Sequence, residues 1–90
     1  LPFASSMACK LSFTRRAEKE LTKLPKKDVV TILEHCTLLE AGDPSTHTKK
    51  LHPPLHGYRM RVGQYRVLYV QEDAAHITVH AIKHRKDAYR

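Results

Sequence analysis

The 90-residue chain has no tryptophan, two cysteines and three glycines, and it is short of acid: nine Asp and Glu stand against sixteen Lys and Arg, a formal charge of +7. Each shortage excludes something. Cys9 and Cys36 are far apart, with no Cys-x-x-Cys or zinc-ligand spacing. They give no basis for a disulfide scaffold or a structural zinc site, and free thiols in a reducing cytoplasm are expected. No apolar run approaches the roughly 20 residues of a membrane span. With no lipidation motif, and no helix-period run both strongly basic and strongly apolar, a membrane surface is not an expected partner either. Leu1-Pro2-Phe3-Ala4-Ser5-Ser6-Met7 has no basic segment leading into an apolar one and does not read as a signal peptide. Residues 1–7 are expected to be a disordered extension or a remnant, and residues 8–90 one domain. Hydrophobic content is ordinary at 41%, so a chain of this length builds a modest single core. The deficit of acid favours polyanionic partners.

What is present centres on Gly57-Tyr58-Arg59-Met60-Arg61-Val62-Gly63-Gln64-Tyr65-Arg66-Val67-Leu68-Tyr69. Two alternating runs flank Gly63-Gln64, which reads as a hairpin with a II′-type turn. That turn sets the register: Val62 faces Tyr65, Arg61 faces Arg66, Met60 faces Val67, Arg59 faces Leu68 and Tyr58 faces Tyr69. Alternation then sorts the side chains. Tyr58, Met60, Val62, Tyr65, Val67 and Tyr69 form a core-facing set, and Arg59, Arg61 and Arg66 share the other face. Like charges directly opposite destabilise a sheet. A pair of opposed arginines is therefore expected to hold an anion, and the planar guanidinium suits phosphate.

The rest of the chain can be placed around this hairpin. Ala8 to Phe13 reads as a short strand. From Thr14, a helix-capping residue, the period changes, and Ala17, Leu21 and Leu24 make one apolar stripe. Pro25 ends that helix and opens a second, with Asp28 in its first turn and Val29, Ile32, Leu33, Cys36 and Leu39 as its stripe. Gly42 and Asp43-Pro44 stop it. Residues 43–56 read as a loop, with Lys49-Lys50-Leu51 just ahead of the hairpin. His76 to Lys83 is the last strand, with Ile77, Val79 and Ala81 on one face and Thr78, His80 and Ile82 on the other. The order β-α-α-β-β-β implies an α+β fold: a twisted, mainly antiparallel four-stranded sheet, an αα-hairpin on the Tyr58/Met60/Val67 face, and an open arginine face.

Phe13-Thr14-Arg15-Arg16-Ala17, Glu20-Leu21, Leu24-Pro25, Lys49-Lys50-Leu51, the hairpin from Tyr58 to Tyr69 and the ending Ile82-Lys83-His84-Arg85-Lys86-Asp87-Ala88-Tyr89-Arg90 occur in this order. Together they resemble the RelE/ParE superfamily of bacterial and archaeal toxins, over nearly all of Lys10 to Arg90, and the ending is more similar to the RelE branch. The resemblance implies a cytoplasmic toxin of a type II toxin–antitoxin pair. It implies an mRNA interferase that enters the ribosomal A site and cleaves mRNA there without a metal or other cofactor. In that reaction the 2′-hydroxyl attacks the adjacent phosphate, leaving a 2′,3′-cyclic phosphate and a 5′-hydroxyl. The implied partners are a cognate antitoxin, the small ribosomal subunit with its rRNA, and mRNA. Carried over by position, the implied site is Arg59 and Arg61 on the second strand, Arg66 on the third, Tyr89 as a base-stacking aromatic, and either Arg85 or Lys83 as the basic residue after the fourth strand. A ParE-like poison of DNA gyrase, or a non-catalytic basic binding module, shares the same fold.

Cleavage by a 2′-hydroxyl needs a proton acceptor, charge to stabilise the phosphorane, and a proton for the leaving 5′-oxygen. Arg61 and Arg66 suit the second task. Arginine stays protonated, so it does not supply the first. His84 and Lys83 are the candidate acid or base, and His80 reads as structural. Lys49, Lys50, Lys26 and Lys27 are expected on ribosomal RNA phosphates, and Tyr65 and Tyr69 in packing. Seven histidines do not suggest a metal site. His76 and His80 would stand about 13 Å apart along a strand, a spacing that serves zinc on a helix.

Overall fold

A computed structural model describes residues 10–43, 46–51 and 56–88, the side chains of residues 87 and 88 excepted. Eight elements follow in chain order: β1 (Lys10–Phe13), α1 (Arg15–Thr22), α2 (Lys26–Glu40), β2 (His47–Lys50), β3 (Tyr58–Val62), β4 (Tyr65–Asp73), β5 (His76–His84) and a terminal turn of helix, α3 (Arg85–Ala88). The strands form one sheet in the order β1-β5-β4-β3-β2. β1 returns parallel to β5 after the two-helix crossover, and every other pairing is antiparallel. The α+β architecture is the expected one.

The central hairpin takes the expected register, from Tyr58 opposite Tyr69 to Val62 opposite Tyr65. Gly63 has φ +58° and no described non-glycine residue has a positive φ, which fits a turn with glycine at its first central position. Met60 and Val67 are fully buried, with Ile32 and Cys36 of α2 and Ala17 of α1 packed on the same core. Tyr58 stacks on Tyr69 at 5.3 Å. Burial raises the Tyr69 phenol's pKa, opposed by a hydrogen bond with Thr48. Burial, and Glu40 nearby, push the Cys36 thiol up to about 12, which leaves it a neutral packing group.

Three expectations need correction. The first is the strand count, because His47–Lys50 is a strand and not part of a loop. It pairs antiparallel with β3, His47 opposite Arg61 and Lys49 opposite Arg59. All four of its residues are exposed, so it carries no apolar alternation. It forms because β3 offers an unpaired edge, and its lysines suit an edge that should not recruit other strands.

The second correction concerns the faces of β5. The register jumps from Leu68 opposite Ala81 to Tyr69 opposite Val79, so His80 is an extra residue in a β-bulge. Ile77, Val79 and Ile82 therefore face the core together, while Ala81 is buried outside that cluster. The third concerns Arg66, which was expected on an open face and is only 7% exposed.

α1 completes the sheet where β1 stops. Beyond Phe13 the outer edge of β5 would present bare backbone. Instead the Thr14 N–H donates to the Val79 carbonyl at 3.0 Å, and the Thr14 hydroxyl to that of His80 at 3.3 Å. Thr14 also caps α1, its Oγ1 accepting from the Ala17 N–H. Glu20 Oε1 then accepts the Ile82 N–H at 2.8 Å. Removing that acceptor strands a part-buried donor. Glu20→Ala is expected to cost about 1–3 kcal/mol in urea unfolding, and Glu20→Gln, which keeps an oxygen there, less than about 1. Equal losses for the two would show that the Ile82 bond contributes nothing.

Candidate functional site

On the sheet face away from α2, register and alternation set basic side chains in a row across four strands: His47 of β2, Arg61 of β3, Arg66 of β4 and Lys83 of β5, each opposite the next. With strands about 4.8 Å apart, this row spans roughly 14 Å. The neighbouring row is Lys49, Arg59, Leu68 and Ala81, which grades from cationic to apolar. A cleft of about 440 Å³ lies over the β2–β3–β4 side, lined by His47, Thr48, Lys49, Arg59, Arg61 and Arg66.

The two opposed arginines differ in character. Arg61 is exposed. Arg66 is buried and curls toward the hairpin turn, where its Nη1 donates to the Gly63 carbonyl at 3.1 Å and the Tyr65 carbonyl at 2.9 Å. Two bonds from one nitrogen fix the guanidinium and leave the rest of its five-donor fork for a ligand. Arg16–Glu20, Lys83–Glu20 and His76–Asp73 are ion pairs among the described residues, and none of the three involves Arg61 or Arg66. Two cations held face to face repel each other, and an anion between them would relieve that repulsion.

Lys83 closes the row. Its Nζ lies 3.6 Å from Glu20 Oε2, which Arg16 Nε also approaches at 3.6 Å, so one carboxylate on α1 steers both cations. The bulge at His80 is the reason Lys83 is on this face. Regular alternation from Val79 would have turned Lys83 toward the core and His84 toward the arginines. As it is, His84 stands opposite Tyr65, edge-on to its ring at 5.6 Å, and its Nδ1 accepts the Lys86 N–H at 3.3 Å. Tyr65 donates to Asp28 Oδ2 at 3.0 Å, and desolvation and that carboxylate raise the phenol's pKa. His84 thus belongs to a small hollow beside α2, together with Asp28, Thr31 and Tyr65.

The remaining sequence-derived candidates fall in different places. Lys49 and Arg59 line the cleft. Lys50 is paired with Tyr58 and alternates away from it. Lys26 and Lys27 are exposed in the first turn of α2 and are not part of the lining. Arg85 is exposed, its N–H bonded to the Gln64 carbonyl at 2.7 Å at the hairpin turn. Tyr89 lies outside the described residues. His47 and Thr48 were not foreseen. The available signal was the two-residue spacing of His47 and Lys49, which matches that of Arg59 and Arg61. His76 is accounted for at the β4–β5 turn, where it meets Asp73 Oδ1 at 2.9 Å, and the Ala75 N–H and His76 hold the Asp73 carboxyl below its usual range.

Residues 11–89 match the family model for the ParE toxin of the type II toxin–antitoxin system parDE. The fold is also that of solved toxins. One match is the toxin–antitoxin complex RelBE2 from Mycobacterium tuberculosis, with a TM-score of 0.75 and 28% identity over 87% of this chain and 99% of that one. Another is the archaeal RelE–RelB complex from Pyrococcus horikoshii, with 0.69 and 29% over 88% and 97%. A third is the RelB–RelE complex from Methanococcus jannaschii, with 0.65 and 26% over 86% and 93%. No curated protein matches by sequence.

Proposed function

The chain belongs to the ParE toxin family of type II toxin–antitoxin systems, and from that premise and its cationic sheet face we propose that it is a ribosome-dependent endoribonuclease that cuts mRNA in the A site. The observation that carries this reading is the opposed Arg61–Arg66 pair, in line with Lys83 of the next strand and with no carboxylate lining the cleft among the described residues. In the proposed reaction the 2′-hydroxyl gives up its proton and its oxygen bonds to the adjacent phosphorus. The P–O5′ bond then breaks and the 5′-oxygen is protonated. No metal takes part. Arg66, fixed by two backbone carbonyls, and Arg61 opposite it hold the non-bridging oxygens as charge builds on the phosphorane. Preorganised donors of this kind do not have to reorient during the reaction. Lys83, directly opposite Arg66 in the sheet, takes the part of the basic residue after the fourth strand.

Arg59 and Lys49 hold flanking phosphates, and Tyr89 stacks on a base, a contact worth roughly 1–3 kcal/mol. Lys26, Lys27 and Lys50 lie outside the cleft and meet ribosomal RNA. In the absence of the ribosome the same face is covered by an acidic segment of a cognate antitoxin, as the charge of +7 favours. The place of action is the cytoplasm. Among the described residues no helix is long and apolar enough to cross a membrane.

The test is toe-printing of mRNA on programmed ribosomes with purified toxin. Cuts within the A-site codon that require no added divalent metal beyond that of the ribosome are the expected result. The match to the ParE family model favours a second reading, a poison of DNA gyrase. Inhibition of supercoiling, with ribosomes bound weakly and mRNA left intact, would replace the first reading with that one.

A further inference from the structure

The cleft contains three arginines and Lys49 but, on the endonuclease reading, still needs a group that can take a proton from the 2′-hydroxyl. Arginine does not give up its proton in proteins, and an exposed lysine is a poor base near neutrality. Histidine is the side chain that titrates between pH 5 and 8. Of the described residues that line the cleft, His47 is the one imidazole. His84, one of the two candidates from the sequence, is turned to the other face against Tyr65.

We propose that His47 is the general base of the cleavage reaction. The inference rests on the endonuclease reading and adds the proton acceptor to it. His47 stands directly opposite Arg61, one strand further from Arg66, so opposed side chains lie about 4.5–5.5 Å apart at their Cβ atoms. A phosphate gripped between the tips of Arg61 and Arg66 places the preceding ribose toward β2 or toward β5. The β2 side carries the imidazole. The β5 side carries Lys83, held by Glu20, and suits the leaving oxygen. The 2′-oxygen bonds to phosphorus as its proton passes to the imidazole, the P–O5′ bond breaks, and the 5′-oxygen takes a proton from the Lys83 ammonium, which solvent restores. The imidazolium then returns its proton to solvent. The groups facing His47 are Arg61 and Arg59 from β3, Arg66 from β4 and Lys49 on its own strand, and no carboxylate lines the cleft among the described residues. His47 is exposed on an edge strand, and the described residues make no hydrogen bond to its ring, so replacing it should leave the fold intact.

The experiment measures single-turnover cleavage of A-site mRNA from pH 5.5 to 8.5 by the full chain and by His47→Gln, alongside thermal melting and co-sedimentation with ribosomes. The expected result is a wild-type rate that rises across the histidine range. The variant should cut roughly 10²–10⁴-fold more slowly with that acidic limb gone, with unchanged melting and ribosome binding. A variant that cuts at the wild-type rate, or keeps the limb, overturns the assignment while the endonuclease reading stands. A wild-type protein that binds ribosomes and cuts at no pH overturns both.

Discussion

Arg66→Ala is expected to lower the rate of A-site cleavage by roughly 10²–10³-fold, the usual loss when a preorganised donor to a developing oxyanion is removed. On the endonuclease proposal the effect should fall on the rate at saturating ribosomes, because the fixed guanidinium would stabilise charge on the phosphorane and not on the bound RNA. Alanine also removes the two bonds to Gly63 and Tyr65 that tie the turn to β4, so about 1–2 kcal/mol of stability should go with the activity. Arg66→Lys keeps the charge and loses the fork, and should recover only part of the rate. Arg61 separates the two effects. It is exposed and faces another cation, so Arg61→Thr relieves repulsion and should stabilise the sheet by about 0.2–1 kcal/mol. Its cleavage should nevertheless fall by roughly the same order as that of Arg66→Ala. A variant that melts higher and cuts less would show that the pair is kept for its ligand. An Arg61→Thr protein of lower stability and full activity would mean that the arginines serve the fold and that the cleavage site is elsewhere.

The hairpin was legible because its turn is local chemistry. Gly63 sets the turn, the turn sets the register, and the register places Arg61 against Arg66 without reference to the rest of the chain. The αα-crossover was legible for a similar reason, since Thr14 and Pro25 mark helix starts by their own bonding limits. What was not legible depends on neighbours. His47-Thr48-Lys49-Lys50 has no strand signature of its own, and becomes a strand because the edge of β3 is free to take it. With it came His47, whose link to the arginines rested on the two-residue spacing it shares with Lys49 and was masked by the loop-like prolines around it. The bulge is the second such case. Ile77, Val79, Ala81 and Ile82 are all apolar, so alternation alone favours a regular strand. The pairing of Leu68 with Ala81 and of Tyr69 with Val79 decides otherwise. That one inserted residue moves Lys83 to the arginine face and His84 to the helix face, which alternation along the sequence alone does not distinguish.

Gly57→Ala is expected to be among the most destabilising single-methyl additions in the described structure, at about 2–4 kcal/mol. Gly57 has φ +107°, a conformation L side chains rarely adopt, and a Cβ there would lie 2.5 Å from the Tyr69 carbonyl oxygen and 3.2 Å from Val70 Cγ2. The obstacle is backbone, so no rotamer change relieves it, and either β3 or β4 must shift. The shift would act on the site through the row itself. Gly57 immediately precedes β3, and its carbonyl accepts the Leu51 N–H at 2.9 Å, closing the β2–β3 ladder. Moving it loosens β2, which carries His47 and Lys49, and β3, which carries Arg59 and Arg61, while Arg66 stays with its own turn. Set against the roughly 5–15 kcal/mol of a natural domain, the loss should show as a clear fall in the urea midpoint. Cleavage should fall further than the folded fraction alone accounts for, because the surviving native state holds its cations out of line. A variant with the wild-type midpoint would show that β3 enters the sheet without pressing on the Tyr69 carbonyl. A variant that loses stability but cuts in proportion to its folded fraction would show that β2 can loosen without cost to the site, which would count against any reacting group on that strand, His47 included.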